Sequence, residues 1–200
     1  MNEGIGIPIV ISAASGTGKT SLCLRLLETL SHASRSISYT TRAPRGDEVD
    51  GRDYYFVSDE VFDQMVAADE FIEWARVFDR RYGTGFRAVQ EQLQNGVDVL
   101  LDIDVQGGAQ IKKRLPEALT IFLLPPSMDE LRRRLVNRAT DPDDAIERRL
   151  NEARREIAQG RSYDVLIVND DFDRAAADLR ALIRAHRLAE NRPEALVDAL

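Results

Sequence analysis

Residues 7–12 read IPIVIS, a short apolar and β-branched run, and residues 19–30 read KTSLCLRLLETL, with apolar positions at helical spacing. Between them lies Ala13-Ala14-Ser15-Gly16-Thr17-Gly18. A strand that turns through glycines straight into a helix leaves free backbone N–H groups at the positive end of the helix, which makes an anion cradle. Lys19 adds a charge for the outer phosphates and Thr20 a hydroxyl for a metal ion. The usual spacing G-x-x-x-x-G-K-[ST] asks for glycine at position 13, where this chain has Ala13. A strand exit normally has negative φ, which alanine accepts. A plain glycine turn ahead of a helix would leave the Lys and Thr after Gly18 unexplained. Residues 13–20 are therefore predicted to hold the phosphates of a nucleotide.

Three more strand-length apolar runs follow at 97–104 (VDVLLDID), 119–126 (LTIFLLPP) and 165–170 (VLIVND). Near-continuous apolar strands alternating with helices predict an α/β fold with a parallel sheet covered by helices on both faces. Ligands of such sheets bind beyond the carboxyl ends of the strands. Ser12, Asp102 with Asp104, and Asn169 with Asp170 stand at those ends. Asp102 suits the carboxylate that accompanies a phosphate loop near its Mg²⁺, and Asp104 is free to face a second substrate. Residues 36–90 differ: short alternating segments and turn signals at Pro44, Gly46, Gly51 and Gly83 predict a small mixed insertion. Residues 127–160 read as two arginine-rich helices broken at Asp141-Pro142, placed to project over the site. A last helix is expected from about Asp171 to Asn191, ended by Pro193.

Two hundred residues suffice for one domain with a full core. The net charge of −7 argues against a duplex nucleic-acid binder. No apolar run approaches the length of a membrane span, and the N-terminus lacks the features of a signal peptide, so the expected location is cytoplasmic. The single Cys23 sits among leucines and reads as core packing. His32 and His186 have no neighbouring ligand pattern.

With these residues in place, the chain resembles bacterial guanylate kinases over about residues 5–190. The resemblance rests on SAASGTGKT, SYTTRAPRGDEVDGRDYYFV, FIEWARVFDRRYGT, VDVLLDIDVQGG, IFLLPPS and YDVLIVNDD, all in the family's order. In that family position 13 is commonly alanine. Two departures stand out. Ala14 replaces the usual proline, and Arg138-Ala139-Thr140 replaces the usual Arg-Gly-Thr.

The resemblance implies a P-loop nucleoside-monophosphate-kinase fold, one domain over 1–200. Its core would be 1–35, 97–126 and 161–200, with a GMP-binding insertion at 36–90 and a lid at 127–160. It implies transfer of a phosphoryl group from ATP, with Mg²⁺, to GMP or dGMP. Ser38, Arg42, Arg45, Tyr54, Glu73, Tyr82 and Thr84 match the GMP site, with Asp104 nearby. A carboxylate such as Glu73 can accept both N1–H and N2–H₂ of guanine. Arg42 and Arg45 can fork onto the GMP phosphate, and Tyr54 and Tyr82 can offer it hydroxyls. Arg134, Arg138 and Arg149 are assigned to the ATP phosphates and the transferring group. Asn169 is assigned to the surroundings of adenine. Two other readings are a same-fold kinase acting on a phosphorylated sugar, and a non-catalytic guanylate-kinase-like interaction module. The first would not need Glu73, and the second tends to lose the lysine that is here Lys19.

Overall fold

A computed structural model of the chain describes residues 4–77, 79–138 and 143–190. Its centre is a five-stranded sheet of order β2-β7-β1-β8-β9, parallel throughout. The strands are β1 (Pro8–Ala13), β2 (Ala33–Arg35), β7 (Asp98–Asp102), β8 (Leu119–Leu124) and β9 (Val165–Val168). All six residues of β1 are buried, because the sheet is covered on both faces. Ile9 and Ile11 pack on one side with Leu22, Cys23 and Leu26 of α1 (Lys19–Thr29) and Leu179 and Ile183 of α7 (Phe172–Glu190). Val10 packs on the other side with Val89 and Leu93 of α3 (Phe86–Gln94) and Ile111 of α4 (Val105–Arg114). Two-sided burial is why this strand reads as an unbroken apolar run. Cys23 is core, and burial pushes its thiol up to about 12.

The second sheet has the order β4-β3-β6-β5 and is mixed. β3 (Tyr39–Thr40) pairs parallel with β4 (Tyr55–Phe56) and antiparallel with β6 (Arg80–Gly85), which pairs antiparallel with β5 (Phe71–Val77). The helix α2 (Asp59–Ala67) closes it, and its Phe62 stacks on Phe71 with ring centroids 4.6 Å apart. α3 spans residue 90, the predicted end of the insertion, yet its Val89 and Leu93 pack on the parallel sheet.

Between β8 and β9 stand α5 (Met128–Arg138) and α6 (Asp143–Gln159). Their apolar faces, with Leu131, Leu135, Ile146, Leu150 and Ala153, enclose Ala14 from the glycine loop. The predicted break at Asp141-Pro142 lies outside the described residues, as do Asn191 and Pro193 at the end of the last helix. β9 departs from the expected burial. It is an edge strand, and Leu166 and Val168 are exposed.

Candidate active site

Gly16 and Gly18 have φ of +93° and +101°, the left-handed region that favours glycine, whereas Ala13 ends β1 in extended backbone. Gly18 caps α1, and a Cβ there would lie 2.7 Å from the Asn169 side-chain nitrogen. The loop carbonyl at Thr17 accepts hydrogen bonds from Asn169 Nδ2 (2.7 Å) and Arg134 Nη1 (3.2 Å). Arg134 also donates to Asn169 O (3.1 Å) and to Glu130 Oε1 (2.9 Å). Arg149 Nη2 donates to Ser15 Oγ (2.9 Å). One residue from β9's end and two from α5 and α6 thus hold the loop from outside. Arg138 ends α5, and its side chain lies outside the described residues, as do Ala139 and Thr140.

Lys19 opens α1 and reaches across to the end of β7. Its Nζ lies 2.6 Å from Asp102 Oδ1 and donates to Ile103 O at 2.9 Å. Thr20 is exposed in the same first turn. Asp104 caps α4 by accepting from Gly107 N at 2.8 Å. Lys19, Asp102 and Asp104 line a cavity of about 210 Å³ together with Arg35, Ser38, Tyr54, Glu73 and Tyr82. The cavity therefore joins the carboxyl ends of the parallel strands to the inner face of the mixed sheet.

Glu73 is buried on that inner face while its neighbour Trp74 points out. Thr84, opposite Glu73 in the β5–β6 pair, donates its hydroxyl to Glu73 Oε1 at 2.6 Å. Burial, and then the charge of Asp104, push the Glu73 carboxyl up to about 7, against the opposing pull of the Thr84 hydrogen bond. Thr84 is itself fully buried behind this carboxylate. Arg42 is buried and forks onto Glu48 at 2.8 and 2.9 Å, with its guanidinium carbon 5.2 Å from the Tyr54 ring centroid. Arg45 is exposed at the same turn, and its N–H donates to Glu48 Oε2. The fork onto Glu48 holds the Arg42 proton more tightly than usual.

Such a cavity offers one buried acceptor pair, a lysine at a phosphate loop and cations on its rim. The family model "Guanylate kinase" matches residues 6–186. The chain belongs to the guanylate kinase family. A guanylate kinase from Geobacter metallireducens is 48% identical over 182 residues, 91% of this chain and 90% of the relative. One from Syntrophotalea carbinolica is 52% identical over 180 residues, covering 90% and 86%. The crystal structure of guanylate kinase from Anaplasma phagocytophilum superposes with a TM-score of 0.74 at 36% identity, covering 91% of this chain and 86% of that one.

Within this guanylate kinase fold, four side chains stand at the site that the sequence motifs did not single out. Arg35 lies on the cavity wall, 4.0 Å from Asp102 Oδ2. Glu48 orders Arg42 and the turn at Arg45. Glu156 of α6 faces the Ser15 N–H, and burial raises its carboxyl. Tyr163 lies against Gly108 of α4 and beside Ser12, with its phenol pushed up to about 12 by burial. Arg35 ends a three-residue strand with no apolar pattern, so no local signal marks it. Glu48 was visible in the quoted motif RGDEVDG, but only the fold brings it under Arg42.

Proposed function

We propose the division of labour by which this member of the guanylate kinase family moves the γ-phosphoryl group of ATP onto GMP. The observation that carries it is the buried Glu73 carboxylate in the same cavity as Lys19 and Asp102. Glu73 accepts N1–H and N2–H₂ of guanine, supported by Thr84, while Ser38 and Asp104 complete the base contacts. dGMP is a substrate as well. Arg42 and Arg45 bind the GMP phosphate with Tyr54 and Tyr82. Arg42 now spends its fork on Glu48, so GMP must share or displace that carboxylate.

The backbone of residues 13–20 holds the ATP phosphates, and Lys19 exchanges Asp102 and Ile103 O for phosphate oxygens. Thr20 and Asp102 offer a hydroxyl and a carboxylate, hard oxygen donors of the kind Mg²⁺ takes alongside phosphate oxygens and water. When bound, Mg²⁺ neutralises charge on the β- and γ-phosphates. Arg138 and Arg149 act on the transferring group from a lid formed by residues 127–160. Arg134 fixes the phosphate loop through Thr17 O, beside Asn169 near adenine. A GMP phosphate oxygen forms the new bond to the γ-phosphorus as the bond to the β-bridging oxygen breaks. The attacking phosphate is already an anion, so no general base is needed. Closure of the 36–90 insertion and the lid keeps water from taking the phosphoryl group.

No helix among the described residues is long and apolar enough to cross a membrane, and we place the activity in the cytoplasm, with no nucleic-acid partner. A coupled ADP-release assay across GMP, dGMP, IMP, AMP, CMP, UMP and ribose phosphates tests the reading. GMP and dGMP should lead, then IMP, then AMP, with pyrimidine nucleotides and sugar phosphates inactive. Preference for AMP or a ribose phosphate would overturn it.

A further inference from the structure

The helix α4 meets strand β5 through two residues one turn apart. At Gln110, the side-chain amide pairs with the main chain of Trp74 in both directions: Trp74 N donates to Gln110 Oε1 (3.2 Å) and Gln110 Nε2 donates to Trp74 O (3.0 Å). β5 is the edge of the mixed sheet, so these main-chain groups have no further strand beside them. Gln110 serves in place of that strand. At Gly107, a Cβ would stand 2.7 Å from Glu73 Oε2 and 3.1 Å from Glu73 Cδ. Residues three apart share a helix face, so one face of α4 pins the backbone beside Glu73 and leaves room for the Glu73 carboxylate.

We infer that α4 is the template for base selection, with Gly107 and Gln110 as positioning residues that set where Glu73 stands. The inference rests on Glu73 reading guanine. Gly107 does not occupy the left-handed region, so alanine there is compatible with the backbone and favours helix. The atom it would meet is the end of a flexible side chain. The strain is therefore relieved by moving the Glu73 carboxylate, and the helix stays where it is. The adjacent Gly108 is a different case, since a Cβ there would overlap the hydroxyl of the rigid Tyr163 ring. A displaced Glu73 loses its alignment with the two guanine donors. IMP has only one of those donors to lose, so the preference for GMP over IMP shrinks.

The experiment compares the parent with Gly107→Ala, Gln110→Leu, Glu73→Gln and the double variant Glu73→Gln/Gly107→Ala. It measures kcat and KM for GMP and IMP, KM for ATP, and the melting temperature. Gly107→Ala and Gln110→Leu should each raise the KM for GMP by about 10-fold, the loss of roughly one hydrogen bond's worth shared over two donors, raise that for IMP by about 3-fold, and so compress the GMP-over-IMP preference by about 3-fold. KM for ATP should hold, and Gly107→Ala should melt no lower than the parent. In the double variant, Gly107→Ala should add nothing to Glu73→Gln. If Glu73→Gln loses the preference while Gly107→Ala keeps it, the template role of α4 is overturned. If Glu73→Gln itself keeps the preference, the base-reading assignment of Glu73 falls instead.

Discussion

Glu73 carries a desolvation cost in the folded chain. Its carboxyl titrates near 7 in the folded chain because burial disfavours the charged form. The folded state therefore holds a proton that the unfolded state has lost between pH ~4.5 and ~7, and stability falls as pH rises across that window. The shift corresponds to on the order of 3 kcal/mol. Glu73→Gln keeps the shape and the Thr84 contact, so its melting temperature should vary less than the parent's between pH 5 and 8. In the proposed base-reading role of Glu73, the same change aims a donor at a guanine donor. It should weaken GMP binding by roughly 1–3 kcal/mol and leave ATP binding alone, as competition titrations would show. Lys19 is the second decisive residue. Lys19→Ala removes the ammonium proposed to neutralise the transferring phosphates, and turnover should fall by several orders of magnitude in a protein that still melts cooperatively. Near-normal turnover would end the phosphate-loop assignment.

At the scale of elements, the phosphate loop is clamped by α5 and α6. Ala14 sits in their apolar seam, and a Cβ at Gly16 would lie 2.9 Å from Leu135. Arg149 contacts Ser15 Oγ from the same side. Arg149→Ala should reduce kcat by about 10³-fold or more, as for arginine fingers, with the KM for GMP nearly unchanged. A fall in GMP affinity with kcat intact would place Arg149 in the other half of the site. Arg134→Ala removes the donor to Thr17 O and should instead raise the KM for ATP, since it loosens the loop. Strands buried on both faces, such as β1, β7 and β8, were legible as apolar runs. β2 and β6 were not. Ala33–Arg35 has no apolar pattern, and Arg80–Gly85 carries two glycines and two arginines, so both are strands only through their pairing with β7 and β5. The helix α2 did leave a local signal, Ser58 capping Val61 N with Asp59 and Glu60 in the first turn.

For the whole molecule, the site exists only where the two sheets face each other. Lys19 opens α1 and Asp102 and Asp104 stand at the carboxyl end of β7, while Glu73 and Tyr82 lie on the mixed sheet and Ser38 and Tyr54 immediately precede its strands β3 and β4. The motifs named these residues one by one, but the contacts between them span tens of residues and had no local trace. The sequence held no sign that Arg42 would spend its fork on Glu48, or that Asn169 would lie against Gly18. In the proposed reaction, the buried Glu73 carboxyl, partly protonated without ligand, becomes the anion that reads guanine. Calorimetry of GMP binding at pH 7, in buffers of different ionisation enthalpy, measures this directly. The parent should release about half a proton more than Glu73→Gln, and its GMP affinity should weaken about fivefold from pH 7 to pH 6, approaching tenfold per pH unit only below that. Equal proton release by the two proteins, with parallel pH profiles, would contradict it.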